Sequence, residues 1–274
     1  IMDDDSDGNT ILGNRIGTNS SGTIAIGNQN GVVINRADNN TIGGTADGAR
    51  NVISGNNTHG VHIIGDPIDP VDATGNMVVG NLIGVTANGM TALGNSADGV
   101  NIENASGNTV GGTTVAARNV ISANGDDGVG IRGAQSTDNT IQGNFIGTDE
   151  DGTGNLGNTD DGVEIIEGAS DNLVGGAADG AANTISFNED GVEVVGDGSL
   201  RNRIQQNSIF NSADIGIDLI GGGATGNDGG DADEGPNRVQ NFPVFVGDAV
   251  LLGNSIAFRY RVPTDVGNAT YPLT

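Results

Sequence analysis

The sequence contains no cysteine, no lysine and no tryptophan, and each absence excludes a class of site. Without cysteine, neither disulfide bonds nor thiolate chemistry is available. Without tryptophan, and with the two tyrosines at Tyr260 and Tyr271, the rest of the chain lacks the best aromatic surfaces on which sugar rings stack. All ten basic residues are arginine.

Positive charge is scarce, and the formal net charge is −25. Such a surface repels nucleic acid and acidic membranes, so we expect no nucleic-acid partner. It suits a secreted protein or one that binds divalent cations. No apolar run approaches the roughly 18 residues of a membrane span, so we expect no membrane insertion in this segment. No signal peptide is visible, and the abrupt start at Ile1 predicts a fragment of a longer protein.

Glycine, at 49 residues, and asparagine are abundant, and both recur in three columns. The first column reads x-G-V-x-I, the second N-x-[IV] and the third N-x-I, always in this order. One pass takes roughly 25 to 39 residues, a period typical of solenoids. The columns begin at Gly31, Gly60, Gly99, Gly128, Gly162, Gly191 and Gly216; at Asn9, Asn40, Asn76, Asn108, Asn139, Asn172 and Asn202; and at Asn14, Asn51, Asn81, Asn119, Asn144, Asn183 and Asn207.

Each copy is too short for a helix and has the alternation of a strand with apolar groups on one face. Three short strands per pass, each stacking on the same strand of the next, predict an all-β parallel β-helix of about seven to eight coils. The aliphatic columns should fill the bore, and the repeated asparagines should form stacked amide ladders.

The columns predict a β-helix over residues 1–220. A Gly/Asp-rich loop and a C-terminal cap should follow over 221–247, with residues 240–245 closing the bore, because a solenoid needs a terminal cap. Alternating apolar residues after 248 indicate the beginning of a truncated β-sandwich-like domain over 248–274.

The run N-T-I-x-G-N-x-I-G-T, followed by D-G-V-x-I, N-T-I-G-G and N-V-I-S-x-N, resembles the right-handed β-helix repeats of large bacterial cell-surface proteins. These belong to the pectin-lyase-like superfamily, and segment 227–244 is similar to the segment that closes such repeats. The resemblance implies an extracellular, non-enzymatic structural or adhesive segment whose partner is a cell-surface or matrix component such as a polysaccharide. Because other superfamily members are lyases, hydrolases or epimerases, the alternative is a polysaccharide-acting enzyme or a polysaccharide-binding module.

Two interpretations of the paired acidic residues are open. Polygalacturonase-like hydrolases carry N-T-D, D-D and G-H-G motifs with a basic R-x-K, and residues 158–161 match the first two within one turn. The R-x-K is absent, and aspartate before the column-one glycine is also a favoured turn residue, which is the interpretation we prefer. On the catalytic interpretation the candidates are Asp127, Asp160, Asp161 and Glu164.

Carboxylates also recur at one place in successive coils, and hard cations such as calcium are one way to relieve their repulsion. Backbone N–H groups in the turns are another. The candidate ladder is formed by Asp98, Asp127, Asp161 and Asp190, with Glu164, Glu193 and Asp218 on the outward side of the strand. A second candidate calcium site lies in the cap loop at Asp228, Asp231, Asp233 and Glu234. We expect His59 and His62 to lie at the surface without a metal.

An apolar strip should face away from the bore beside the column-three isoleucines, at Val52, Leu82, Val120 and Phe145. An exposed strip of this kind is usually covered. Either the insertions fold over it, with Leu93 and Leu156 as lids, or the chain associates laterally with a second copy or another partner.

Overall fold

A computed structural model of the chain describes residues 1–2, 6–69, 72–227, 229, 234–239, 244–252, 255–257 and 259–261. Within these residues the chain forms a right-handed parallel β-helix of three seven-stranded sheets, with one strand of each sheet in every coil. Neighbouring strands are parallel and pair equivalent residues, as Ile131 pairs with Ile165. The predicted fold class is confirmed.

We number the sheets by the sequence columns that form them. Sheet one contains Val32–Asn35, Val61–Ile64, Val100–Glu103, Val129–Arg132, Val163–Ile166, Val192–Val194 and Ile217–Leu219. Sheet two contains Thr10–Ile11, Thr41–Gly43, Met77–Val79, Thr109–Gly111, Thr140–Gln142, Leu173–Gly175 and Arg203–Gln205. Sheet three contains Arg15–Ile16, Val52–Ile53, Leu82–Ile83, Val120–Ile121, Phe145–Ile146, Thr184–Ser186 and Ser208–Phe210. Short 3-10 turns occur at Val115–Ala117 and Pro236–Val239.

The aliphatic columns fill the bore, as predicted. The column-three residues Ile53, Ile83, Ile121, Ile146 and Ile185 are all 0% exposed and belong to one continuous core. The glycine before each sheet-one strand allows the coil to close tightly around this core. At Gly162, for example, a β-carbon would lie 2.4 Å from Ile185 Cγ2 and 2.5 Å from the carbonyl oxygen of Gly191.

The stacked asparagines form the predicted amide ladders. In each ladder the backbone N–H and the side-chain amide donate to Oδ1 of the equivalent asparagine in the next coil; Asn139, for example, donates to Asn172 at 2.9 and 3.0 Å. A third ladder, which we did not predict, runs through the turns before sheet one. It consists of Asn28, Asn56, Asn95, Asn124, Asn158 and Asn188.

The outer apolar strip is covered by the insertions of the same chain. Leu82 is 0% exposed, and the strip packs with Val85, Ala87 and Leu156 from the loops that follow sheet three. The loops contact one another, since the Ala87 N–H donates to the Gly22 carbonyl at 2.9 Å. Leu156 therefore acts as a lid, as predicted, whereas Leu93 is not among the residues packed against the strip, which Val85 and Ala87 contact instead. The strip offers little surface for lateral association.

At the C-terminal end, Asn237 continues the sheet-two ladder: its Oδ1 accepts the Asn202 N–H at 2.8 Å. Beyond it, antiparallel pairs join Val244–Phe245 with Tyr260–Arg261 and Val250–Leu252 with Ser255–Ala257. The bore-closing segment expected at 240–245 lies mostly outside the described residues, and the domain boundaries remain predictions. Among the described residues, no helix is both long enough and apolar enough to span a membrane.

Candidate functional site: the acidic face of sheet one

The outer side of sheet one carries a concentration of charged residues. Strand register places Gly130, Glu164, Glu193 and Asp218 side by side in consecutive coils, at the outward middle position of the strand. The turn aspartates lie beside this row. We call the whole set the acidic face, and it consists of Asp98, Asp126, Asp127, Asp160, Asp161, Glu164, Asp190, Glu193 and Asp218, with the interspersed residues His59, His62, Asn101, Gly130 and Arg132.

The four turn aspartates are buried, and three of them accept a backbone N–H from the next coil. Asp98, Asp127, Asp161 and Asp190 are 0, 1, 3 and 5% exposed. Oδ1 of Asp127 accepts the backbone N–H of Asp161 at 3.1 Å, and Oδ1 of Asp161 accepts that of Asp190 at 3.0 Å. Oδ1 of Asp190 accepts the N–H of Ile215 at 2.8 Å. The turn interpretation therefore accounts for Oδ1 of these three carboxylates, and Oδ2 of Asp127 contacts Arg132.

Arg132 lies at the centre of the N-terminal half of the face. Its Nη2 lies 2.9 Å from both Asp127 Oδ2 and Glu164 Oε2, and 3.6 and 3.7 Å from carboxylate oxygens of Asp98 and Asp126. Gly130 provides the room, since a β-carbon there would lie 3.1 Å from Arg132 Nε and 3.0 Å from Asp98 Oδ2. The guanidinium thus serves as an internal cation for four carboxylates.

Both histidines join this network at its N-terminal edge. Their rings lie 4.7 Å apart, His59 Nδ1 lies 3.4 Å from Asp98 Oδ2, and His62 Nε2 lies 3.1 Å from Glu103 Oε2. The pKa of His62 is lowered by burial and by the neighbouring His59. Burial alone would raise the pKa of Asp98, but its bonds to His59 and Asn101 and the charge of Arg132 lower it.

Two of the buried turn aspartates, Asp127 and Asp161, have strongly raised pKa values. Burial, followed by the charges of Glu164 and Asp98, raises the pKa of Asp127 to about 10. Burial and the charge of Glu193 raise the pKa of Asp161 to about 8, although the bond from Asp190 opposes this shift. Clusters of carboxylates with raised pKa values occur at functional sites, but also in structural networks.

Three groups on the face can hold a metal ion, because their carboxylate oxygens lie within 4.8 Å of one another. They are Asp98–Asp126–Asp127, Asp127–Asp160–Asp161 and Asp190–Glu193–Asp218. The predicted aspartate ladder and the outward row of Glu164, Glu193 and Asp218 thus converge on one surface. Of the predicted cap site, Asp228, Asp231 and Asp233 lie outside the described residues, and Glu234 is exposed.

The sequence match to a hydrolase motif corresponds to ordinary coil contacts. Asn158 is an amide of the third ladder, and the Thr159 hydroxyl donates to the Asn124 carbonyl at 3.1 Å. Asp160 is exposed while Asp161 is buried in the turn. The catalytic candidates Asp127 and Glu164 do meet, but across Arg132. Arg132 and Gly130 were missed from the sequence, although both stand at outward positions of one strand.

The carboxylates of the acidic face differ in how far a ligand can reach them. Asp98, Asp127 and Asp161 are too buried to contact a polymer, whereas Asp126 keeps 43% of its side chain exposed. A pocket of about 370 Å³ lies at the edge, lined in part by Ile64, Glu103 and the Pro67 loop rather than by the aspartates. Protons and small cations can therefore reach the buried oxygens more readily than a sugar chain can.

Comparison of the chain with protein-family models, with curated proteins and with solved structures gives no match.

Proposed function

We propose that this chain is a non-enzymatic structural or adhesive segment of a larger bacterial surface protein and acts outside the cell as a stiff spacer. The observation that carries the proposal is that the repeated polar residues form hydrogen bonds between coils. The ladder asparagines and three of the four turn aspartates bond to the next coil, so the repeat is built to join coils. The similarity of its motifs to pectin-lyase-like surface repeats supports the same conclusion.

The proposed partner is a cell-surface or matrix component such as a polysaccharide, and the proposed cofactor is calcium. A formal net charge of −25 and the clustered carboxylates favour a calcium-containing extracellular setting. A cation that binds only the folded state stabilises it, so the melting temperature should be higher in millimolar calcium than in chelator. Identical melting curves in the two buffers would count against calcium as the cofactor.

The second candidate is a polysaccharide-acting enzyme, and one observation favours it. Asp127 and Glu164 approach the same guanidinium nitrogen, and the pKa of Asp127 is raised to about 10 by burial and the Glu164 charge. A protonated carboxyl beside an ionised one is the pairing that general acid–base hydrolysis uses. The burial of Asp127 argues against this reading, because the reacting sugar has to reach it.

A screen of neutral and acidic polysaccharides, with and without calcium, separates the two functions. We expect binding without depolymerisation. Turnover by the wild-type chain that disappears in both Asp127→Asn and Glu164→Gln would overturn the structural proposal. The exposed Asp179→Asn is the matched control, because it removes one carboxylate from a loop away from the acidic face.

A further inference from the structure

The acidic face has an arginine as counter-charge at its N-terminal end, whereas its other end has none among the described residues. Arg132 contacts four carboxylates in the N-terminal half. Further along the face, Glu193 pairs with Asp218 in sheet one, and Asp190 lies in the turn beside them. Among the described residues, no arginine or histidine forms an ion pair with these three.

A buried oxygen without a partner marks this second half. Asp218 is 1% exposed; its Oδ2 accepts the Gly223 N–H at 2.8 Å, but its Oδ1 has no hydrogen-bond partner within the described part of the chain. Leaving a buried charged oxygen unpaired is costly, so a partner from outside the protein is expected. The neighbouring Asp190 is 5% exposed, with Oδ1 bonded to the Ile215 N–H at 2.8 Å.

We propose that Asp190, Glu193 and Asp218 bind one calcium ion, which provides a counter-charge at this end of the face as Arg132 does at the other. Their oxygens lie within 4.8 Å of one another, the separation that two opposite ligands have around calcium at about 2.4 Å each. Gly221 approaches Glu193 so closely that a β-carbon would lie 3.0 Å from Oε1. The glycine-rich turn thus lies against the site, and backbone oxygens and water are further ligands that calcium accepts.

The charge environment agrees with this geometry. Burial, followed by the charges of Glu164, Asp218 and Asp190, raises the pKa of Glu193 to about 7. A bound divalent cation offsets the repulsion between such neighbouring charges. The inference rests on the proposed use of calcium by the surface segment, and it assigns that calcium to the last two strands of sheet one. The ion would join the final strand and its glycine-rich turn to the preceding coil.

Calorimetric titration of the chelator-treated full chain with calcium chloride tests the site. The wild-type chain should bind calcium at Asp190, Glu193 and Asp218, and Asp218→Asn and Glu193→Gln should each weaken that binding by at least about tenfold, because calcium affinity follows the number of charged ligands. Asp179→Asn should leave it unchanged. Circular dichroism shows whether each variant keeps the wild-type fold, and Glu193→Gln removes a half-buried group if Asp218→Asn does not fold.

Calcium binding that neither variant weakens would overturn the site, and so would the absence of binding to the wild-type chain. Both outcomes are independent of the polysaccharide screen. A chain that degrades no polysaccharide and binds no calcium would lose this site but keep its structural assignment. A chain that degrades polysaccharide and loses calcium with Asp218→Asn would keep the site and lose the structural assignment.

Discussion

The asparagine ladders and the column of turn aspartates run side by side through this β-helix. Both stack coil on coil, but the asparagines satisfy one another's hydrogen bonds and the aspartates do not. An asparagine side chain carries both a donor and an acceptor, so Asn124 can donate to Asn158 while accepting from Asn95. An ionised aspartate is acceptor-only, so Asp127 and Asp161 can each accept a backbone N–H but cannot satisfy one another. Amides therefore stack without help, whereas carboxylates need protons, Arg132 or a metal ion.

The largest loss of stability is expected from a substitution in the apolar bore, which lies beneath both columns. Ile121→Ala should lower the free energy of unfolding by about 2–5 kcal/mol, because a fully buried side chain leaves a cavity that the closed coils cannot fill. Chemical denaturation measures the loss. A cost near zero would mean that the column does not support the coils, and the exposed Val115→Ala provides the same kind of truncation outside the bore.

Removing the internal cation should show how much the carboxylate column depends on it. Arg132→Gln should cost about 3 kcal/mol in chelator, because it leaves Asp98 and Glu164 without their counter-charge. Calcium should recover part of the loss. The exposed pair of Arg201 with Asp171 offers a control, and Arg201→Gln should change stability much less than Arg132→Gln does. If Arg132→Gln and Arg201→Gln lowered the stability equally, Arg132 would have no special role on the acidic face.

Converting one amide into a carboxylate should make the amide column behave like the acidic one. Asn124→Asp removes the donor that reaches Asn158 Oδ1 at 3.0 Å and places two acceptors together. We expect a loss of about 1–3 kcal/mol at neutral pH, measured by denaturation. The same exchange at the exposed Asn57 should stay within about 0.5 kcal/mol. A harmless Asn124→Asp would show that the ladder does not require the amide donor.

The fold was predictable because the same residue pattern recurs in every coil. Glycine, valine and isoleucine at fixed offsets indicate strands that stack, and Ile121 and Ile185 are in the core as expected. The third amide ladder was also accessible in principle, since asparagine precedes the column-one glycine by three or four residues, as at Asn124 and Asn158. It was missed because no strand follows these asparagines directly.

The contacts of four carboxylates with Arg132 were not predictable in the same way. Alternation places Arg132 on the outer side of its strand, but the direction of its side chain depends on the missing β-carbon at Gly130 and on the register with Glu164. These are contacts between coils, and a single repeat does not encode them. The burial of the turn aspartates likewise depends on the side chains packed over them.

The most direct test of the contrast between the columns is the melting temperature of the chelator-treated chain between pH 7 and pH 9. Carboxyls with pKa values raised to about 10 for Asp127 and about 8 for Asp161 bind more protons in the folded than in the unfolded chain. Stability should therefore fall as the pH rises through this window. Asp127 faces Glu164, Asp98, Arg132 and the Asp161 N–H, and Asp127→Asn imitates its neutral form, so the variant should lose less stability than the wild-type chain. A melting temperature that stays constant or rises from pH 7 to pH 9 in the wild-type chain would contradict the account.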